Sequence, residues 1–296
     1  MKVLTIIVSY NFMPWIDNCL GNMLSSDYGN DILVVDNASQ DSTTDTIKER
    51  YPQVKLIKNQ DNLGFGRANN IGIQYAFENG YDGVLLLNQD AWLDANTLGR
   101  LVDVAEQHPD FGIVSPVHLT GDGKKLDTGF ATYAGIQDLR ELPTVDIVEL
   151  KFINAAIWFM RLDVLKVVGL FDRIFYHYGE DIDLTHRMAY HHFKVGYVPS
   201  VFGYHDRELR EVTSAQFFRG ERVYHLAEYT NVNYSLVKAF SMGVLAQVKK
   251  SLTSLARGCI KDAVVYLKQS MKLLWNSPIV LKTRRRSKHP VFSQYR

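Results

Sequence analysis

Four short apolar runs, separated by stretches of helical periodicity, constrain this chain more than any other feature. They are Val3–Ser9 and residues 32–36, 54–57 and 84–87, all rich in Val, Ile and Leu. Helical patterns occupy residues 13–25, 42–51, 66–78 and 95–108. Apolar runs without polar alternation suit strands buried on both faces. Strands alternating with helices predict an α/β fold on a mostly parallel sheet. In such sheets ligands bind outside the carboxyl ends of the strands. Ser9, Tyr10 and Asn11 close the first run, Asp36 and Asn37 the second, and Asn88, Gln89 and Asp90 the fourth. The polar residues therefore collect where a ligand is expected.

The alternation weakens from about residue 113. A turn is expected at Gly121-Asp122-Gly123, extended chain over 145–159, short helix over 161–168, helix over 180–192 and a strand over 195–201. Beyond residue 214 the pattern is mainly helical, with Leu236, Phe240, Val244, Val248, Leu252 and Leu255 at roughly helical spacing. This divides the chain into a domain over 1–213 and a basic helical extension over 214–296. Residues 283–296 are expected to be mobile.

The formal net charge of +1 hides an asymmetry: residues 238–296 carry 13 Lys and Arg against one acid, Asp262. The other residues hold 20 basic and 31 acidic side chains. The basic end is a candidate for contact with an anionic membrane. Its competing readings are a solvated helical face and an oligomer contact. Aromatics do not interleave with the basic cluster in a nucleic-acid motif, so no nucleic-acid partner is expected. The two cysteines, Cys19 and Cys259, form neither a metal spacing nor a disulfide framework, and a reducing cytoplasm is the default. The N-terminal apolar run is too short for a signal peptide, and no stretch reaches the ~18 apolar residues of a membrane span. The expected location is cytoplasmic, with the cytoplasmic face of the inner membrane as the peripheral option.

Each polar site has a chemical and a structural reading. Asp36 can accept hydrogen bonds from a base or ribose, or it or Ser39 can cap the next helix. The loop Asn62-Leu63-Gly64-Phe65-Gly66-Arg67 can bring backbone and Arg67 to a phosphate, or it is a tight turn. Asp90, at the end of a buried strand, suits a divalent cation shared with a diphosphate, against a role as helix cap. Glu180-Asp181-Ile182-Asp183 follows the aromatic run Phe175-Tyr176-His177-Tyr178 and a glycine. Adjacent carboxylates raise one another's pKa, which is how a general base is tuned, although acids at a helix start also suit its dipole. His205 can complete a metal site or touch a phosphate, or it is structural. Taken together, the acids suggest one cleft for a nucleotide, a divalent metal and a base. Trp92, Trp158 and Tyr176 are candidates to stack on sugar rings, beside ordinary core packing.

The ordered series Val8-Ser9-Tyr10-Asn11, Val34-Val35-Asp36-Asn37, Asn62-Leu63-Gly64-Phe65-Gly66, Leu87-Asn88-Gln89-Asp90, Gly179-Glu180-Asp181-Ile182-Asp183 and His205 resembles glycosyltransferase family 2. It looks most like the bacterial rhamnosyltransferase-like branch, to which Asp122-Gly123 with Gly129 is also similar. The likeness covers roughly residues 1–210. It implies a GT-A fold, a nucleotide-diphosphate-sugar donor (dTDP-rhamnose or a UDP-sugar), Mg or Mn, and inverting transfer to a glycan or lipid-linked acceptor in polysaccharide synthesis. It further implies Asn11 and Asp36 at the nucleoside, Asp90 at the metal, Asp181 as base supported by Glu180 and Asp183, and His205 near metal and diphosphate. The metal-binding D-x-D element of the family reads Asn88-Gln89-Asp90 here and lacks its first carboxylate. The alternatives from other classes are a non-catalytic sugar-nucleotide-binding protein and a nucleotidyltransferase.

Overall fold

A computed structural model describes residues 1–206 and 213–290. The strands are β1 (Val3–Ser9), β2 (Asn30–Asp36), β3 (Lys55–Lys58), β4 (Gly83–Asn88), β5 (Ala91–Leu93), β6 (Phe111–Thr120), β7 (Val148–Leu150), β8 (Ile157–Arg161) and β9 (Lys194–His205). The helices are α1 (Ile16–Leu24), α2 (Thr43–Arg50), α3 (Phe65–Glu78), α4 (Thr97–Gln107), α5 (Thr128–Ala134), α6 (Leu162–Val168), α7 (Glu180–Tyr190), α8 (Ser214–Thr230), α9 (Leu236–Phe240), α10 (Ala246–Ala256), α11 (Ile260–Trp275) and α12 (Ser277–Lys288). The chain forms two compact units, residues 1–167 with 192–208, and residues 168–191 with 209–296.

The first unit holds the whole sheet, in the order β3-β2-β1-β4-β8-β6-β9-β5 with β7 beside β9. β1 runs parallel to β2 and β4. Side chains alternate across a strand. Ile7 therefore faces a core shared with Ile16 and Leu20 of α1 and Leu98 and Leu101 of α4. Ile6 faces α3 on the other side. There Gly72 lies so close that a Cβ on it would come within 2.5 Å of Ile6 Cγ2. Helices on both faces explain why these strands are uninterrupted apolar runs.

Beyond residue 110 the sheet is more extensive than the sequence predicts. β6 is ten residues long and buried, yet its Gly, Ser, Pro and His break the apolar signal. Its parallel pairing with β9 shifts register between Pro116 and Val117, where a strand can accept a residue without an N–H donor. β9 continues past residue 201 to His205, so this histidine closes a strand where it was expected to follow one. The expected extended segment 145–159 is two strands, β7 and β8. Arg161, expected to open a helix, ends β8.

The second unit is helical, with Tyr229, Ala239, Val244, Leu273 and Val280 at its core. The mobile end expected from residue 283 is helical through Lys288. Its order has a polar cause. Arg284 Nη2 donates to the Tyr234 carbonyl at 2.8 Å and Nη1 to the carbonyls of Tyr229 and Asn231. Arg286 Nη2 meets Asp172 Oδ2 at 2.7 Å. Residues 291–296 of the expected mobile segment, like residues 207–212 of the expected first domain, lie outside the described residues. Among the described residues no helix is long and apolar enough to cross a membrane.

Candidate active site

Register places the first group of polar residues. Ser9 pairs with Asp36 across β1 and β2, and Val8 with Asn88 across β1 and β4. The ends of three parallel strands thus lie side by side. Asp36 is fully buried. One of its oxygens accepts from Ser9 Oγ at 2.9 Å, and the other from the Ser39 backbone N–H at 3.0 Å. Neither Asp36 nor Ser39 caps α2, which starts after Ser42. Asp36 instead ties the loop after β1 to the loop after β2. Ser39 Oγ in turn accepts the Asn11 N–H at 2.9 Å, and Asn11 holds φ at 53°. Tyr10, beside it, is exposed.

Asn37 Oδ1 accepts from Asn59 Nδ2 at 2.9 Å, and its Nδ2 donates to the Gly64 carbonyl at 3.3 Å. This brings the glycine loop to the same sheet edge. Gly64 has φ 79°, and α3 opens immediately after it with Arg67 exposed in its first turn. Gln89, the middle residue of Asn88-Gln89-Asp90, is occupied: its amide exchanges hydrogen bonds with the Tyr10 backbone at 2.8 and 3.2 Å.

Asp90 has no cap to make, because Ala91–Leu93 is a strand and α4 begins only at Thr97. β5 pairs antiparallel with the end of β9, setting Ala91 opposite His205. The Asp206 N–H donates to the Asp90 carbonyl at 2.8 Å. The result is a carboxylate–imidazole pair, with His205 Nε2 3.4 Å from Asp90 Oδ1. His205 is buried, whereas the Asp90 side chain is 27% exposed. On the other side of the ring, His205 Nδ1 lies 3.7 Å from Asp127 Oδ2, without a hydrogen-bond partner. Asp206 Oδ2 accepts from Trp15 Nε1 at 2.9 Å.

This donor set fits a divalent cation held by few protein atoms. A carboxylate and an imidazole face each other, and hard cations at nucleotide sites take their remaining positions from phosphate and water. Among the described residues no group of three or more His, Cys, Asp or Glu could hold a metal alone. Asp127 was missed in the sequence. Its only local signal is a helix cap, which it makes: its carboxylate accepts the Phe130 N–H at 3.0 Å and opens α5.

The acidic run lies in the second unit. Tyr178 and Gly179 turn through φ 68° and 87° to open α7. A Cβ at position 179 would meet Val223 Cγ1 at 2.5 Å, so both the conformation and the space require glycine. The three acids then diverge around the helix. Asp183 points inward, where its carboxylate accepts from Arg187 Nε at 2.8 Å in a fully buried pair, and Arg187 Nη1 reaches the Val168 carbonyl at 2.9 Å. Glu180 is 4% exposed. Burial, then Asp181 and Asp183, push its carboxyl up to about 7. Asp181 is the half-buried member, and its Oδ1 accepts the Ile182 N–H at 2.8 Å. Tyr176 and Tyr178 beside it are exposed. Of the other candidate stacking rings, Trp158 is buried in the core and Trp92 stacks on Tyr204.

The raised pKa of Glu180 has a consequence for stability. Between its ordinary value of 4.5 and about 7 the folded chain binds the proton that the unfolded chain has released. Its contribution is full below pH 4.5 and is lost as pH rises through 7. Glu180→Gln should remove that dependence and stabilise the protein at pH 8 by roughly 1–3 kcal/mol. Urea melts of both proteins at pH 5 and pH 8 check this, and a difference that did not grow with pH would contradict it.

The family model "Glycosyl transferase family 2" matches residues 5–166. An undecaprenyl-phosphate mannosyltransferase of Micrococcus luteus is 28% identical over 234 residues, covering 77% of this chain and 94% of its own length. An N-acetylglucosaminyl-diphospho-decaprenol L-rhamnosyltransferase of Mycobacterium tuberculosis is 23% identical, covering 66% of this chain and 73% of its own length. The structure of S. aureus TarS 1-349 with UDP-GlcNAc superposes with a TM-score of 0.58 at 15% identity, covering 97% of this chain and 90% of that one. The mannosyltransferase PcManGT of Pyrobaculum calidifontis, solved with GDP-Man and Mn2+, gives a TM-score of 0.54 at 18% identity, covering 97% and 83%. The fold shared with these structures is GT-A, a mostly parallel sheet with flanking helices.

Proposed function

The chain belongs to glycosyl transferase family 2, and we propose that it moves a sugar from a nucleotide-diphosphate sugar to a hydroxyl of a lipid-linked acceptor, inverting the anomeric carbon. The observation that carries this reading is the Asp90–His205 pair beside the ends of β1, β2 and β4. The acceptor class is suggested by the relatives, whose names give undecaprenyl phosphate and N-acetylglucosaminyl-diphospho-decaprenol as acceptors. The donor is dTDP-rhamnose, a UDP-sugar or another nucleotide sugar. Residues 1–213 are the transferase domain and 214–296 its helical extension. The reaction takes place at the cytoplasmic face of the membrane that holds the acceptor.

In this proposal the exposed Tyr10 with Asn11, Asn37 and Asn88 line the nucleoside, and buried Asp36 fixes their loops through Ser9 and Ser39. Gly64 and Arg67 at the start of α3 take the diphosphate. Asp90 and His205 would hold a Mg or Mn ion. When bound, that ion offsets the charge that builds on the departing nucleoside diphosphate. Asp181 accepts the proton of the acceptor hydroxyl. The hydroxyl oxygen bonds to the anomeric carbon as the bond to the diphosphate oxygen breaks, so one displacement inverts the centre. Glu180 shares the helix start with Asp181 as a supporting acid, and Asp183 anchors the helix through Arg187.

A thermal-shift panel of nucleotide sugars, with and without Mn, tests the donor half of this reading. A ligand that binds the native state raises its stability, and the true donor should do so most with the metal present. No shift with any nucleotide sugar would count against it. Asp127 gives a second test. Histidine ligands of metals usually donate their other N–H to a carboxylate, and Asp127 lies 3.7 Å from Nδ1. Asp127→Asn should weaken Mn binding roughly 10–100-fold, read directly by Mn titration in paramagnetic resonance. Unchanged Mn affinity would remove Asp127 from the site.

A further inference from the structure

The structure assigns a membrane-inserting face to α11, formed by an apolar stripe bordered by lysines. Ile260, Val264, Leu267, Met271 and Leu274 recur at intervals of three and four residues, which places them on one side of the helix. All are exposed, and so is Trp275, at 86%. The stripe is not the helix's core contact. That contact is made by Ala263, Tyr266, Ser270 and Leu273, which are buried. α11 therefore carries two apolar or small-residue faces, one used inside the unit and one turned outward. α10, joined to α11 through Gly258 at φ 75°, leaves Leu252 and Leu255 exposed as well, at 62% and 55%.

Charge indicates what covers the outward face. Lys261, Lys268 and Lys272 follow each other at seven and four residues, a column alongside the apolar stripe. Lys249 and Arg257 belong to the α10 side, and Asp262 is the only acid after residue 237. An outward stripe of Leu, Ile, Met and Trp edged by lysines matches the boundary of an anionic bilayer: side chains enter the acyl region and ammonium groups stay among phosphates. A second copy packed antiparallel on this stripe would bring the same lysines against one another. Two other basic residues of the extension, Arg284 and Arg286, are engaged within the unit with backbone carbonyls and Asp172. The inserting element is thus α11 with the end of α10, and α12 is its support.

This inference builds on the proposed lipid-linked acceptor, but its test reads binding and not transfer. The full-length protein is sedimented with vesicles of phosphatidylglycerol and phosphatidylcholine, and with phosphatidylcholine alone. Salt-sensitive binding to the anionic vesicles is expected, with a blue shift of tryptophan emission. Trp275→Phe should reduce the shift while most binding remains. The pair Leu267→Glu with Met271→Glu should weaken binding roughly tenfold or more, and neutralising the three lysines to Gln should flatten the salt dependence. Circular dichroism melts of each variant should match the parent, since all these side chains are at the surface. Transfer to a short water-soluble acceptor should survive the Leu267 and Met271 substitutions. If the parent ignores anionic vesicles, or the glutamate pair binds them as well as the parent, the assignment is wrong. So too if light scattering finds a dimer that the glutamate pair dissociates. A protein that binds vesicles yet transfers to no acceptor would instead overturn the proposed activity.

Discussion

Asp181→Asn should transfer sugar roughly a hundred to ten thousand times more slowly than the parent and bind nucleotide sugar with equal affinity. General-base contributions are of this size, and loss of a group that acts only in the transition state lowers kcat without raising the donor's dissociation constant. The substitution is conservative in structure. An amide oxygen can still accept the Ile182 N–H that the carboxylate now accepts at 2.8 Å, so the start of α7 is kept. In the role proposed for Asp181, what it would remove is the ability to take up the proton of the acceptor hydroxyl. Glu180 is the rival for that role because its carboxyl sits near 7. A base must reach its proton, and Glu180 is 4% exposed. Glu180→Gln should therefore alter the pH profile of transfer and keep most of the rate, while Asp181→Asn keeps little. Single-turnover rates and calorimetric donor affinities of the two variants separate the assignments. The opposite ranking would make Glu180 the base.

Asp90→Ala should abolish the metal dependence of donor binding and lower kcat/KM by roughly a hundredfold or more. Asp90 supplies the one carboxylate of Asn88-Gln89-Asp90, and Gln89 is committed to the Tyr10 backbone. The fold should tolerate the change, because the strand pairing at this point runs through the backbone carbonyl of Asp90 to the Asp206 N–H. Donor affinity measured with Mn and with a chelator should differ clearly for the parent and hardly at all for the variant. Equal affinities in both conditions for the parent would mean that the cation has no part in holding the donor.

Some of this was legible in the sequence for a simple physical reason. β1, β2 and β4 are buried on both faces, so they read as unbroken apolar runs, and the polar residues closing them mark the carboxyl edge of a parallel sheet. Asp36, Asn37, Asn88 and Asp90 could be placed from that pattern alone. The proximity of His205 to Asp127 could not. It depends on the register of β9 with β5 and β6, and β6 hides its strand character behind Gly112, Ser115 and Pro116. The three acids of α7 read as one cluster, yet helical spacing aims them differently: Asp183 meets Arg187 four residues on, inside the unit. Arg284 and Arg286 read only as part of a basic tail because nothing local announces the carbonyls and the carboxylate they serve. On α11 periodicity reveals an amphipathic helix, but only packing tells which stripe is buried and which remains outside.

Transfer from a nucleotide sugar to a hydroxyl acceptor is decided by analysis of its products. Purified protein is incubated with the best nucleotide sugar of the thermal-shift panel, Mn and a polyprenyl-linked acceptor. Nucleoside diphosphate should be released in step with an acceptor heavier by one sugar residue. Release of pyrophosphate, or an unchanged acceptor while the donor stays bound, would contradict it.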